Sequence, residues 1–343
     1  VRRRPGPIAV AAAIACGVSL MLSACSTSAP SADSGTTPLS VALNFAPAPS
    51  SEWTGMLVAN QSGLYRDAGL DVQFSNLSGS ADVVKSVGSG QVDVGFASAD
   101  SFLVGVSQGL PLVAIANVVP RNYAGLITPA GSDIKTLADV GGKKVSSALA
   151  SPEPILLQAL DGGSTPDMVY VEPQSKCTVM QGGESDACTG LANYQVPLLE
   201  RAGTDVDFIS FDSAQNPIIG PVLFTRAEHV PEIRDQLTAL LAATAEGYEK
   251  AYEDVDAAVA MFGAQYPDVD TSNGFLKEAI GITKPYLTRD DPSLAPGWGQ
   301  MSPQLWSGLI NILAGGGMLA STPQVDAVFT NDLLPSGAWS LAP

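Results

Sequence analysis

Between residues 39 and 118, short apolar runs alternate with segments whose apolar positions recur every three or four residues. LSVALNF (39–45), LDVQFS (70–75), VDVGFA (92–97) and LPLVAIANV (110–118) read as strands. The intervening EWTGMLVANQSG (52–63), SADVVKSVGSG (80–90) and ADSFLVGVSQG (99–109) read as helices. Such alternation predicts an α/β architecture with a mainly parallel sheet covered on both faces. A second run of the same kind goes from KKVSSA (143–148), through the helix PEPILLQALDG (152–162) and the strand DMVYVEP (167–173). It ends in ESDACTG (184–190), ANYQVPLLERAG (192–203) and VDFISF (206–211). From Pro231 the pattern becomes mostly helical, at 231–254, 255–266, 273–287 and 302–316.

The two runs share an outline. SGQVDVGFASADSFLVGVSQG (89–109) overlays GGESDACTGLANYQVPLLERAG (182–203) with Gly90 on Gly183 and Asp93 on Asp186. Each copy is a turn, a strand and a helix, which predicts two lobes with related sheets facing one another. The paired aspartates read as strand-entry turn residues. Ligands of open α/β sheets bind beyond the carboxyl ends of strands, where helix N-termini offer unpaired N–H groups. Those positions are Ser98, Ala99 and Asp100 in the first copy and Ala192, Asn193 and Tyr194 in the second.

The first residues bear on location. Arg2, Arg3 and Arg4 precede an apolar run over 7–22, and LSAC follows at 22–25. This predicts an export signal over 1–24, with Cys25 as the lipid acceptor of a bacterial lipoprotein. An ordinary signal peptide or a membrane anchor fits less well, because small residues stand directly before the cysteine and the apolar run is too short to span a bilayer. Residues 25–38 then comprise the lipidated cysteine and a loose polar tether. Of the 17 basic residues, three leave with the signal, so the mature chain carries 14 against 34 acidic residues. That balance argues against nucleic acid as a partner. Cys177 and Cys188 remain as a pair in an oxidising compartment and predict a disulfide. Closing so short a loop is worth about 3 kcal/mol. A metal site lacks nearby histidine, and two free buried thiols are the remaining alternative.

At this point the residues resemble a family. ANQSGLYRDAGLDVQF (59–74), the stretch 89–119, SDIKTLADVGGKKV (132–145) and LLAATAEGYEKAYED (240–254) are similar, in order and spacing, to solute-binding proteins of ABC importers. The branch concerned serves thiamine-precursor pyrimidines, nitrate, sulfonates and taurine. The resemblance implies a two-lobed type II periplasmic-binding-protein fold, each lobe a mixed, mainly parallel sheet flanked by helices. The first lobe is expected at 39–125 plus 222–343 and the second at 126–221, with crossover strands near YAGLITP and IIGPVLFTR. It also implies a monomer that binds a small solute without cofactor or metal. Its partners would be a permease and its ATPase, and its place extracytoplasmic, held to the membrane through the lipid.

Where the pyrimidine-binding branch has an acid, a Trp, an Asn and a His, this chain has Asn44, Phe45, Ala48 and Trp53, with a two-residue insertion. A heteroaromatic solute still fits, with Phe45, Trp53 and Tyr194 offering faces and Asn44, Asp100 and Asn193 offering hydrogen bonds; each aromatic also fits ordinary packing. Ser147, Ser151 and Glu153 sit at a helix start, where capping and ligand contact are both open readings. Arg121 near the hinge fits either an anionic solute or a solvated surface. Sulfonate, taurine or nitrate is the alternative cargo. A relative of the same fold makes a thiamine pyrimidine and needs a catalytic His and a Schiff-base Lys. His229, the single histidine, stands at a helix start in RAEHVPE, and HExxH and a phosphate-cradling loop are missing from the sequence. No catalytic residue is assigned.

Overall fold

The computed structural model describes residues 35–44, 51–148, 151–213, 215–337, 339 and 341. The expected signal, Cys25, Phe45 and the tether as far as residue 34 lie outside the described residues, and the last two tether residues, Thr37 and Pro38, already belong to the first strand. Ten strands form among the described residues: β1 (Thr37–Leu43), β2 (Leu70–Asn76), β3 (Val94–Ser98), β4 (Leu112–Asn117), β5 (Ala124–Pro129), β6 (Lys144–Ala148), β7 (Asp167–Val171), β8 (Ala187–Leu191), β9 (Val206–Ser210) and β10 (Pro221–Arg226). The helices preceding β5 are α1 (Thr54–Gln61), α2 (Leu64–Asp67), α3 (Ser80–Gly88) and α4 (Ala99–Ser107). Between β6 and β9 lie α5 (Glu153–Leu160), α6 (Lys176–Gln181) and α7 (Gln195–Arg201). The tail holds α8 (His229–Glu232), α9 (Arg234–Glu253), α10 (Val255–Gln265), α11 (Phe275–Thr283), α12 (Pro303–Gly315) and α13 (Val325–Val328). No helix among the described residues is long and apolar enough to cross a membrane.

The strands make two five-stranded sheets. Sheet A runs β2-β1-β3-β10-β4 and sheet B runs β7-β6-β8-β5-β9. The orders are the same pattern: β1, β2 and β3 correspond to β6, β7 and β8, and β4 corresponds to β9. In both, the strand next to the edge is antiparallel to its neighbours and arrives from across the hinge, β10 in sheet A and β5 in sheet B. This answers why the motif is duplicated. Gly90 and Gly183 take the same left-handed backbone, φ 76° and 75°, which a Cβ would strain. Asp93 Oδ2 accepts the Ser40 N–H at 2.9 Å, and Asp186 Oδ2 accepts the Lys144 N–H at 2.8 Å. Each aspartate thus ties the entry of its own strand to the neighbouring one, as the turn reading expects.

Helices cover sheet A on both faces. On one, α1 packs on α9, and glycines let them approach: a Cβ on Gly247 would lie 2.2 Å from the Gly55 carbonyl oxygen. On the other, the Trp306 ring lies 5.6 Å from Phe102, itself 5.3 Å from Phe224. All three side chains are fully buried.

The chain crosses between the sheets twice, at 118–123 and 211–220, and the crossings pair with each other through Asn122 N–H to the Ile218 carbonyl at 2.8 Å and Gly220 N–H to the Val119 carbonyl at 3.0 Å. The strands themselves fall outside these crossings. β5 begins at Ala124, so the expected boundary after Gly125 cuts into it, and the boundary after Pro221 takes the first residue of β10; β1 likewise starts two residues before Leu39. Buried Asp212 fastens the hinge, accepting from Arg121 Nε at 3.0 Å, Ile218 N–H at 2.8 Å and Arg289 Nη2. Arg289, from the helical tail, also donates to the carbonyls of Pro120 and Ile218, one on each crossing, both at 3.0 Å.

Candidate functional site

The carboxyl ends of the parallel strands of both sheets meet at one place. In sheet A they deliver Asn44, Ser98, Asp100 and Asn117. In sheet B they deliver Ser147, Glu153 and Asn193. A short helical turn at Ser51–Trp53 adds Ser51 and Glu52 from the A side.

Direct bonds join the two sides. Asn193 Nδ2 donates to Ser51 Oγ at 3.2 Å and to Thr283 Oγ1 at 3.0 Å. Farther out, α7 docks on α11: Tyr194 meets Phe275 edge-on at 5.9 Å, and Arg201 pairs with Glu278 at 2.8 Å while lying over the Phe275 ring. A groove of about 300 Å³ runs between Ser51, Glu52, Asn193, Tyr194, Phe275 and Leu276. A second, of about 530 Å³, lies beside it on the B side against Glu153, Lys176, Cys177 and Tyr194. A third hollow, between α9 and Trp298 and Trp339, shares no residue with either.

Three buried carboxylates define the chemistry. Glu52 Oε1 accepts the Tyr123 hydroxyl at 2.8 Å. Asp100 Oδ1 accepts Ser98 Oγ at 2.6 Å and the Ser101 N–H and hydroxyl. Glu153 Oε2 accepts Lys176 Nζ at 2.6 Å, Thr189 Oγ1 at 2.9 Å and Ser151 Oγ at 2.9 Å. For Asp100 and for Glu153 the donors converge on one oxygen. Burial pushes Glu52 up to about 7, against which its own backbone N–H and the Tyr123 hydroxyl act. Burial also raises Asp100, and the Glu153 charge adds to the rise despite the hydrogen bonds from Ser98 and Ser101. Tyr123 is held well above its ordinary value by burial and then by the charge of Glu52, with Asp100 contributing. Asp100 and Glu153 therefore sense one another across the sheets, and Glu52 and Asp100 both act on Tyr123. Asn44 Oδ1, Asn193 Oδ1 and both amide atoms of Asn117 are buried without a partner, an arrangement that costs about 1–3 kcal/mol per group.

The residues expected at the site divide. Asn44, Ser98, Ala99, Asp100, Ser147, Glu153, Asn193 and Tyr194 lie at the strand ends. Ser98 spends its hydroxyl on Asp100 and Ser101, and Ala99 contributes no polar side-chain group. Ser147 is fully buried behind Glu153, bonded to Thr189 Oγ1 at 2.6 Å. Ser151 both accepts the Glu153 N–H at 3.3 Å and donates to its carboxylate, so the capping geometry and the network share one serine. Trp53 stands apart: its ring is fully buried in the core of the A half, 5.7 Å from Phe262 and 6.0 Å from Tyr266, and borders neither groove. Packing against α10 takes the face expected for a solute. Arg121, left open between an anionic solute and a solvated surface, is engaged by Asp212 and lies 5.6 Å from the Tyr286 ring centroid. Glu52, Tyr123, Lys176, Thr189 and Asn117 escaped the sequence reading. His229 follows β10, whose start pairs with Ser98 and whose end pairs with Leu112, so it lies at the opposite, amino end of the parallel strands of sheet A. There it contacts Thr225 and Arg226.

Cys177 and Cys188 are joined in a disulfide. It links the first turn of α6 to β8 within a small cluster with Ile127, Met180 and Leu199.

The profile of a family described as NMT1/THI5 like matches residues 50–258. A formylaminopyrimidine-binding protein of Halalkalibacterium halodurans is 25% identical over 246 residues, 70% of this chain and 74% of that protein. A 4-amino-5-hydroxymethyl-2-methylpyrimidine phosphate synthase of Schizosaccharomyces pombe is 28% identical over 90 residues, 26% of each chain. Among solved structures, the periplasmic aliphatic sulphonate binding protein of Escherichia coli superposes with a TM-score of 0.66 at 14% identity, covering 88% of this chain and 94% of that one. The fold is thus that of the periplasmic binding proteins.

Proposed function

The chain belongs to the NMT1/THI5-like family, and from that premise we propose that it is an extracytoplasmic solute-binding lipoprotein of an ABC importer. It captures a small heteroaromatic solute of the thiamine-precursor pyrimidine type between its sheets and delivers it to a permease driven by an ATPase. It works as a monomer held to the membrane through Cys25.

One observation carries the reading. Asp100 and Glu153 interact across the sheets, Glu52 and Asp100 both bear on Tyr123, and the protein donors of Asp100 and of Glu153 each converge on a single oxygen. The exocyclic amine of such a solute would supply a donor to a remaining oxygen, its ring nitrogens would accept, and the Asn44, Asn117 and Asn193 amides add further partners. Tyr194, Phe275 and Leu276 give apolar walls suited to a flat ring. Because closing the hinge joins the walls, the solute must bind the closed form more tightly than the open one.

Phosphate, sulfonate and nitrate fit these walls poorly, since Glu52, Asp270 and Glu153 line the two grooves and the cations there, Arg201 and Lys176, are already paired with Glu278 and Glu153. Synthase chemistry would need a histidine and a free lysine together at the carboxyl strand ends, whereas His229 sits at the opposite, amino end and Lys176 is bonded to Glu153. We therefore assign binding without turnover.

The test is a thermal-shift panel on the soluble domain with 4-amino-5-hydroxymethyl-2-methylpyrimidine, its formylamino analogue, taurine, an alkanesulfonate and nitrate. An aminopyrimidine at a hundredfold its Kd should add about 2.7 kcal/mol of stability. Stabilisation by the sulfonates or nitrate alone would overturn the reading.

A further inference from the structure

Lys176 is the residue immediately before Cys177, and Thr189 is the residue immediately after Cys188. Both place a donor on the same oxygen, Oε2 of Glu153, at 2.6 and 2.9 Å. The disulfide therefore joins the two chain segments at the points where each reaches for this carboxylate. The geometry points to the Cys177–Cys188 bridge as a positioning element of the binding site: it holds the Lys176 ammonium and the Thr189 hydroxyl on one oxygen of Glu153, so that the other faces the solute.

Local structure shows why a bridge is needed. α6 has six residues, Lys176–Gln181, far below the length at which a helix persists on its own. Its first residue is a lysine, placed at the positive end of the helix dipole where a cation is disfavoured. Left to itself, this turn has reason to fray and to carry Lys176 into water. Three contacts oppose that. Ser146 Oγ donates to the Lys176 carbonyl at 2.6 Å, Glu153 takes the ammonium, and the disulfide fixes the turn to β8. Lys176, Cys177 and Glu153 are each less than a tenth exposed, and Cys188 and Thr189 are sealed. The side chains bordering the B-side groove include Glu153, Lys176 and Cys177, so clamp and site share a wall.

This inference rests on the cleft reading above but is tested first without a solute. In the bridged protein the Lys176 ammonium should resist acylation by an N-hydroxysuccinimide ester, measured by peptide mass spectrometry against exposed Lys135 and Lys250. In Cys177→Ala/Cys188→Ala, and in the wild type after phosphine reduction, Lys176 should acylate about tenfold faster while the reference lysines are unchanged. Circular dichroism establishes that each sample is folded, and the reduced wild type serves if the double variant is not. Equal Lys176 reactivity in folded bridged and unbridged protein overturns the proposal.

The second arm compares 4-amino-5-hydroxymethyl-2-methylpyrimidine with the analogue lacking the 4-amino group, by calorimetry. Opening the bridge should weaken the amine-bearing probe about tenfold more than the amine-free one. Equal weakening of both, or a lowered thermal midpoint with both affinities kept, would make the bridge merely structural and overturn the positioning role. If Lys176 becomes reactive but the wild type binds neither pyrimidine, the clamp on Glu153 stands and the solute assignment falls.

Discussion

The two halves share one strand order but satisfy their site carboxylates by opposite means. On the A side, Glu52 and Asp100 receive hydroxyl and backbone donors, and among the described residues no ammonium or guanidinium is bonded to either. On the B side, Glu153 has a buried lysine, two hydroxyls and a disulfide behind it. A carboxylate without a cation is held towards its neutral form by burial, as Glu52 and Asp100 are, whereas a buried ion pair depends on a partner that must not move. The A side is thereby sensitive to protons and the B side to the removal of a single residue.

The sharpest way to break this comparison is to remove that residue. Lys176→Met should lose about 3–5 kcal/mol because Glu153 is left buried and unpaired. Asp100→Asn at the same pH should shift stability by less than about 1 kcal/mol, or raise it, because a desolvated charge is removed. Urea denaturation with unchanged slope reads both; similar losses for the two variants would erase the distinction.

A smaller effect comes from pH. Glu52 has a folded-state value of about 7 against an ordinary 4.5. The folded form thus binds more protons than the unfolded one between these values, so stability falls as pH rises through the window and levels off above it. The full loss is about 3 kcal/mol, at 1.36 kcal/mol per unit, and Asp100 acts in the same direction. Glu52→Gln should flatten most of the fall in denaturation midpoints measured from pH 4.5 to 8. An unaltered profile would assign the proton elsewhere.

The smallest effect concerns what the halves have in common. Gly90→Ala and Gly183→Ala each place a Cβ on a left-handed turn and should each cost about 1–2 kcal/mol. The Gly90 variant should lose slightly more, because its Cβ would lie 3.1 Å from Arg226 Nη1 whereas that of Gly183 meets open space; a larger loss at Gly183 would mean that the duplicated turns are not equivalent.

The duplicated architecture could be read from the sequence because it is written in local terms. Strand and helix periods depend on near neighbours, and Gly90, Gly183, Asp93 and Asp186 act within a turn of themselves. The Ser98–Asp100 and Asn193–Tyr194 positions followed from the general rule about strand ends. Lys176 and Glu52 could not be read, because a lone charge in a polar stretch looks the same whether it ends in water or is enclosed by a partner distant in sequence. Glu52 is enclosed by Tyr123 and Tyr248, and Lys176 by Glu153. Trp53 failed for the converse reason. A tryptophan beside an amphipathic helix suits a cleft or a core equally, and only the placement of Phe262 and Tyr266 from the distant α10 decides between them.

The interleaving of the strands has a consequence for assembly. Every strand of sheet B lies in one uninterrupted stretch, from Ala124 to Ser210, whereas sheet A lacks β10 until that whole stretch has been made. Arg289, which bolts both crossings, arrives later still. A chain threaded amino end first through a translocation pore would thus complete its second half before its first, with the pivot between them fastened last.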